Sequence, residues 1–189
     1  MSVESPTEHL EHVEHAEHAA HSGDPFLARV SMTIAILAVA AATVGSLETI
    51  ETAGAISEKN HAVLLQNKAT DNWNFYQAKS IKKNMYDIAA ITNPDRKDAF
   101  DKDARRNEAD QTEIQNKAKE LEHQSDEALE KSDHHEHRHH VLTVAVTLLH
   151  VSIAIATIAI IMRGQRWPWY GSMALGAAGV IGAAAAYLS

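Results

Sequence analysis

The chain has 189 residues, a net charge of −8 at pH 7 and no cysteine. The lack of cysteine excludes disulfides, thiol catalysis and thiolate metal sites. The acidic balance of the polar segments argues against nucleic-acid binding. Residues 1–28 carry six acidic residues and no Lys or Arg, and residues 48–140 carry 19 acidic and 14 basic residues. Apolar and charged residues are segregated along the chain, so its average composition hides its organisation.

The first segment, residues 1–24, is an acidic tail in which Glu-His recurs every third residue. Imidazoles spaced in this way on a helix can share Zn²⁺ or another divalent transition metal. The candidate ligands are His9, His12, His15 and His18. The alternative is a solvated low-complexity helix without a dedicated metal site and without any cofactor, because His-rich tracts bind metal readily without a functional role.

Three apolar segments, residues 25–47, 141–162 and 170–188, predict transmembrane helices. Within them lie stretches of 18, 22 and 19 residues without Asp, Glu, Lys or Arg. A bilayer core requires about 20 apolar residues in a helix. The residues ahead of the first apolar segment are acidic, whereas a cleaved secretion signal begins with basic residues, so we expect this segment to be a retained span. The sequence therefore predicts an all-α membrane protein with three transmembrane helices.

The polar segment between the first two spans, residues 48–140, predicts a long antiparallel helical hairpin that forms a coiled-coil stalk. Neither Gly nor Pro occurs between Ala55 and Asn93 or between Asp95 and Arg163, which favours uninterrupted helices. A tip at residues 93–94 leaves arms of 46 and 47 residues and pairs residue i with about residue 187 − i. Each arm would extend on the order of 70 Å.

The pattern predicts a weak coiled-coil seam between the two arms. Apolar residues repeat at coiled-coil spacing at Ile81, Met85 and Ile88, and the second arm repeats Ile114, Ala118, Leu121, Ser125 and Ala128. Because the seam is partly polar and rich in alanine, one hairpin alone should be marginally stable. We expect neighbouring copies to cover the remaining surface, which makes the protein a homo-oligomer in the lipid bilayer.

Three spans place the tail and the short basic loop 163–169 on one side of the membrane. Arg29, Arg163 and Arg166 adjoin the membrane there, and the positive-inside rule assigns that side to the cytoplasm. The N-terminus is then cytoplasmic and the hairpin lies outside the cytoplasm. Aromatic residues bracket the third span as interfacial anchors do: Trp167, Trp169, Tyr170 and Tyr187.

Three of the ten aromatic residues fall within one polar stretch of the first arm: Trp73, Phe75 and Tyr76. Rings at helical spacing commonly fill a seam between helices. Trp and Tyr also dominate protein-binding hot spots, so the same rings form a candidate binding site for an unknown partner protein of the cell envelope. Both interpretations require a further helix, because one hairpin cannot bury three rings on different faces.

The segment Ala69–Asp87, ATDNWNFYQAKSIKKNMYD, resembles the Trp-x-x-Tyr-Gln-Ala-Lys-Ser-Ile-Lys core of an uncharacterised bacterial membrane-protein family, known only as a domain of unknown function. The core runs here from Trp73 to Lys82, and the resemblance extends over nearly the whole chain. It implies a bacterial membrane protein. With the three predicted spans, the predicted location is the bacterial inner (plasma) membrane, as a multi-pass protein. It implies no activity.

A second histidine cluster, residues 134–140, contains the pattern His-Glu-x-x-His at His135, Glu136 and His139. On a helix this pattern can bind zinc and supply a general base, with Glu48 or Glu51 across the hairpin base as a further ligand. Five histidines in seven residues make the pattern nearly unavoidable, and no cleft-forming domain surrounds it. We therefore expect no enzyme, and a pH-responsive collar at the membrane surface is the other interpretation.

Polar residues inside the second span form one stripe that includes Thr147, His150 and Thr157. An ionisable residue at this depth normally faces the interior of a bundle. A neutral His150 that bonds Thr43 or Ser46 of a neighbouring helix would serve as structural glue. The sequence thus favours a non-enzymatic oligomeric scaffold or binding stalk of the envelope; the alternative is a small ion or metal conduit or sensor, with histidines at each mouth and His150 in the bundle.

Overall fold

The structure is a computed structural model that describes residues 24–162 and 165–188. The described chain forms three α-helices: α1 (Pro25–Thr92), α2 (Lys97–Ile161) and α3 (Trp167–Ala185). A single 3-10 turn, Pro94–Arg96, connects α1 to α2. The expected all-α fold is confirmed, and so is the packing of two long helices against each other.

The ends of α1 follow from local chemistry. At its start the Asp24 carboxylate accepts a hydrogen bond of 2.8 Å from the Phe26 N–H, and Pro25 occupies the first helical position, where no N–H is needed. At its end Asn93 leaves the helical region with φ −131° and ψ 78°. Pro94 follows, and a residue that precedes proline is disfavoured in the α conformation. The helix break lies at the predicted tip.

The chain divides into two compact units. The hairpin unit is Gly54–His134, and the bundle unit consists of the described parts of Met1–Ala53 and His135–Ser189. Helices α1 and α2 contribute to both units, and α3 belongs to the bundle unit.

The hairpin unit is built on small residues that recur every seventh position on both arms. The facing sets are Ala55, Ala62 and Ala69 on α1 and Ala118, Ser125 and Ser132 on α2, all of them buried. The Ser125 hydroxyl donates to the Ala62 carbonyl and the Ser132 hydroxyl to the Ala55 carbonyl, each at 3.0 Å. A hydrogen bond from a serine side chain to a backbone carbonyl of the other helix is possible only where the two backbones lie close together. The residue numbers of each bonded pair sum to 187, so the predicted register of the two arms is confirmed.

The rotation of α1 differs from the prediction. The α2 positions expected in the seam are buried, as predicted, but Ile81, Met85 and Ile88 are 61%, 64% and 62% exposed, so their assignment to the seam was wrong. The alanine repeat of α1 places Lys83 and Ala90 toward α2. Ile81 and Met85 are each two positions from Lys83, and Ile88 is two positions from Ala90. Two positions on an α-helix correspond to a rotation of about 200°, so the three exposed residues lie on the side of α1 opposite to the seam.

The bundle unit packs α3 against both long helices through a face of small residues. The buried positions of α3 are Pro168, Ser172, Gly176, Gly179 and Ala183. A Cβ atom added at Gly176 would overlap Leu37 of α1, and one added at Gly179 would lie 3.0 Å from the backbone oxygen of Ala145 on α2. Helix α3 is therefore a close-packing helix.

Two of the three described helical stretches, Pro25–Thr92 and Pro94–Ile161, contain segments long and apolar enough to cross a membrane. Helix α3 does not meet the same test.

Candidate functional site

The aromatic stretch of α1 separates into two environments in the hairpin unit. Trp73 is half-buried, its indole N–H donates to Glu122 at 2.8 Å, and its ring meets that of Tyr76 edge to face with centroids 5.6 Å apart. Phe75 is 52% exposed, and the Lys79 ammonium lies 5.3 Å from its ring centroid. Trp73 and Tyr76 therefore contribute to the seam, and Phe75 faces solvent. A partner-binding role for the three rings stays a prediction.

The partner of Trp73 follows from helix geometry. The register places Trp73 opposite Ile114, yet its indole reaches Glu122, eight residues further along α2. Side chains on an α-helix tilt toward its N-terminus. In an antiparallel pair the two tilts converge, so long side chains meet partners displaced from the backbone register.

Beside this stretch lies the apolar stripe, which we define as Ile81, Met85 and Ile88. All three side chains are more than half exposed and are spaced at i, i+4 and i+7 on one helix. That spacing is the seam pattern of a coiled coil. An exposed apolar set at coiled-coil spacing, on the side of α1 turned away from α2, is typical of a surface that another helix covers.

Ion pairs order the polar surface of the same segment. The Lys79 ammonium lies 2.6 Å from the Asp110 carboxylate of α2, and this hydrogen bond lowers the pKa of Asp110 below its ordinary value. Lys83 bonds Asp87 one turn along α1 at 2.9 Å, which raises the pKa of Lys83. These lysines are therefore held in defined positions rather than spread over the apolar stripe.

The bundle unit contains a polar group that we call the base cluster: Glu48, Glu51, Thr52, His135, Arg138, His139, Thr143 and Tyr187. Its centre is Glu51, a carboxylate in a residue only 4% exposed. The His135 Nδ1 atom lies 2.6 Å from it, and the Tyr187 hydroxyl donates a further hydrogen bond. The Arg138 guanidinium lies 5.3 Å from the Tyr187 ring centroid. Residues from α1, from α2 and from the turn that follows α3 thus converge on one buried carboxylate.

The second half of the base cluster surrounds Glu48. The Thr143 hydroxyl donates to its carboxylate at 2.5 Å, and the His139 Nδ1 atom lies 3.7 Å from the same oxygen. The Nδ1 atom also lies 2.9 Å from the Thr52 hydroxyl. The two histidines of the His-Glu-x-x-His pattern therefore contact two different carboxylates rather than one common point.

Metal binding is not supported by an arrangement of ligands in the part of the chain that the structure describes. Across residues 24–162 and 165–188, no three His, Asp or Glu side chains are placed to hold a metal ion. The metal-site predictions for His135 and His139 stay predictions. Those for the tail, His9, His12, His15 and His18, lie outside the described residues.

The stripe in the second span lies beside the packed core. Thr147 is exposed, and its hydroxyl donates to the Thr143 carbonyl one turn back on the same helix. Thr157 makes the equivalent bond to Ile153. His150 is half-buried. A conducting role for this stripe stays a prediction.

Electrostatics in the base cluster keep Glu51 ionised. Burial raises the pKa of its carboxyl. Hydrogen bonds from His135 and Tyr187 and the positive charge of Arg138 lower the pKa and together outweigh the effect of burial, so the pKa of Glu51 lies below the ordinary 4.5. A carboxyl with a depressed pKa in the folded state stabilises the fold above its ordinary pKa, and this stabilisation is lost as the pH falls through the folded value.

We expect Glu51→Gln to lower the free energy of unfolding at pH 7 by about 1 kcal/mol, because the hydrogen bonds to the carboxylate lose their charge. The difference from wild type should begin to shrink as the pH falls below the ordinary pKa of 4.5, and it should disappear below the lowered pKa of the folded state, where the wild-type carboxyl is protonated as well. Guanidinium unfolding in detergent at pH 7 and at pH 3 measures both effects. The control is Glu113→Gln, an exposed residue; equal behaviour of the two variants would contradict the assignment.

Residues 26–189, which include α2, α3 and all of α1 except Pro25, match the family described as "Domain of unknown function (DUF4337)". The chain belongs to this family. The membership confirms the resemblance seen in the Trp73–Lys82 core and leaves the function of the DUF4337 chain open. No curated protein and no solved structure matches the chain.

Proposed function

We propose that this DUF4337 chain is a non-enzymatic membrane scaffold that assembles with further copies of itself through its helical hairpin. The bundle unit would anchor the chain in the bacterial inner membrane through α1, α2 and α3. The N-terminus would face the cytoplasm, and the hairpin unit would present its surface on the other side.

Membrane anchoring is supported by the outer face of the bundle unit. The core residues of α1 and α2 are apolar, and so are the exposed residues on the opposite faces: Met32, Ile36, Val39, Val144, Val151 and Ile158 are between 43% and 69% exposed. A helical bundle that is apolar all round is typical of a membrane span, where lipid replaces water around it. The small-residue face of α3 is likewise typical of helices that associate within lipid.

The observation that carries the proposal is the apolar stripe of Ile81, Met85 and Ile88. A second copy is the occupant that fits it, because membrane anchoring gives all copies one orientation and keeps their equivalent residues at one level. Anchoring also raises the effective concentration of neighbouring hairpins. Two stripes in parallel register would bring coiled-coil positions of identical sequence together.

We expect the triple substitution Ile81→Gln, Met85→Gln and Ile88→Gln to convert the oligomer into single chains of 20.7 kDa. Glutamine is a good helix former, so α1 should persist while its apolar contact is lost. Light scattering of the detergent-purified protein measures the mass of the complex.

The control is Leu129→Gln, an exposed apolar position on α2 outside the stripe, which should leave the mass unchanged. A monomeric wild type, or a triple variant of undiminished mass, would refute self-assembly through this surface.

A further inference from the structure

A crevice of about 260 Å³ opens in the bundle unit beside the first turns of α1 and α3. The residues that matter in its wall are Asp24, Phe26, Arg29, Arg166, Trp169 and Tyr170. It lies where the apolar segments begin, so the crevice is next to the part of each helix that would enter lipid.

One wall of the crevice is a fixed aromatic frame. The rings of Phe26 and Trp169 meet edge to face with their centroids 5.8 Å apart. The ring centroids of Tyr170 and Trp169 are 5.0 Å apart. The indole N–H of Trp169 donates to the Thr33 hydroxyl at 3.0 Å, which fixes the ring against α1. Tryptophan and tyrosine concentrate at the level of the lipid headgroups.

The other wall is cationic. The Arg166 guanidinium lies 5.6 Å from the centroid of Phe26, which holds it at the crevice, and Arg29 lines the same space from α1. Across residues 24–162 and 165–188 neither arginine forms an ion pair with a carboxylate. The Asp24 carboxylate in the wall is engaged by the Phe26 N–H. Two arginines therefore face one carboxylate, and that carboxylate already caps a helix.

We propose that this crevice binds the phosphate group of an anionic phospholipid, with Arg29 and Arg166 as the phosphate ligands and the aromatic frame beside the glycerol region. The inference rests on the membrane anchoring proposed above. Arginine forms strong paired hydrogen bonds to phosphate. Basic pockets between membrane helices on the cytoplasmic side are suited to anionic headgroups, because that leaflet carries negative charge.

The test uses the full chain in neutral detergent and measures binding by calorimetric titration. The three probes are micelles with phosphatidylglycerol, micelles with phosphatidylcholine, and sodium phosphate alone. We expect phosphatidylglycerol to bind at least tenfold more tightly than either other probe. Arg29→Gln and Arg166→Gln should each weaken its binding about fivefold, and the double variant about 25-fold.

Two control variants separate a built site from general charge attraction. Arg105→Gln removes an exposed arginine from the hairpin unit and should leave lipid binding unchanged. Arg166→Lys keeps the charge and should restore part of the affinity that Arg166→Gln loses. The proposal is overturned if the double variant binds phosphatidylglycerol as wild type does, if Arg105→Gln weakens binding equally, or if free phosphate binds as well as the lipid.

The same preparation distinguishes failure of this site from failure of the proposed anchoring. Release of the chain from cell membranes by alkaline carbonate would refute anchoring and with it the lipid site. Retention in the membrane without selectivity for phosphatidylglycerol would refute the lipid site alone.

Discussion

Ala69→Leu is expected to lower the free energy of local unfolding of the hairpin unit by about 1–3 kcal/mol, because overpacking a tight interior costs this much. Ala69 is fully buried, and the register places it opposite Ala118, which is fully buried too. A leucine there would push the arms apart and break the bond from the Ser125 hydroxyl to the Ala62 carbonyl.

Amide hydrogen exchange of peptides from α1 measures this effect, because local opening sets the exchange rate. A loss of 1.4 kcal/mol corresponds to tenfold faster exchange. The matched control is Ala78→Leu, which adds the same side chain at an exposed position of the same helix. If both variants exchange alike, the small residues do not set the distance between the arms.

The register of the hairpin could be predicted from the sequence, but its rotation could not. Asn93–Pro94 fixes where the chain reverses, and equal arms then determine which residues face each other. The prediction chose Ile81, Met85 and Ile88 for the seam because hydrophobicity is the stronger signal in the pattern. The structure instead buries the seven-residue repeat of alanine and serine, since small side chains allow close approach of the backbones and the serine bonds described above.

The base cluster was predicted in part. The equal arms place Glu48 and Glu51 at the hairpin base with His135 and His139, and the structure brings these four residues together in pairs. The contribution of Tyr187 could not be predicted, because no pattern in the sequence states where the far end of α3 packs. The signal available was an aromatic residue at the end of an apolar segment, and that signal indicates the membrane interface rather than a specific partner.

The same limit applies to the cationic crevice. The sequence predicts that Arg29 and Arg166 lie on the same side of a membrane, but their approach to a common space depends on how α3 packs against α1. That packing is set by the glycines of α3, whose missing side chains leave room for Leu37 and for the backbone of α2. The crevice, the base cluster and the anchoring of α3 therefore depend on one contact face.

Gly179→Val is the substitution that tests this face, and we expect it to destabilise the packing of α3 by about 1–3 kcal/mol. A Cβ atom at this position would lie 3.0 Å from the Ala145 backbone oxygen and 3.0 Å from Leu149 Cγ, and backbone cannot move aside as a flexible side chain can. Valine adds two further methyl groups to that contact. The matched control is Gly182→Val, where an added Cβ has no atom within 4 Å.

Because the chain has no cysteine, a single reporter can follow the packing of α3. Ser172→Cys places one thiol on the buried face of α3, and its rate of labelling by maleimide in detergent measures how often α3 leaves the bundle unit. We expect labelling at least fivefold faster with Gly179→Val and unchanged with Gly182→Val. Equal labelling rates in the two variants would show that the contact at Gly179 does not hold α3 in the bundle unit. The positions of Tyr187 in the base cluster and of Trp169 in the crevice would then depend on other contacts of α3.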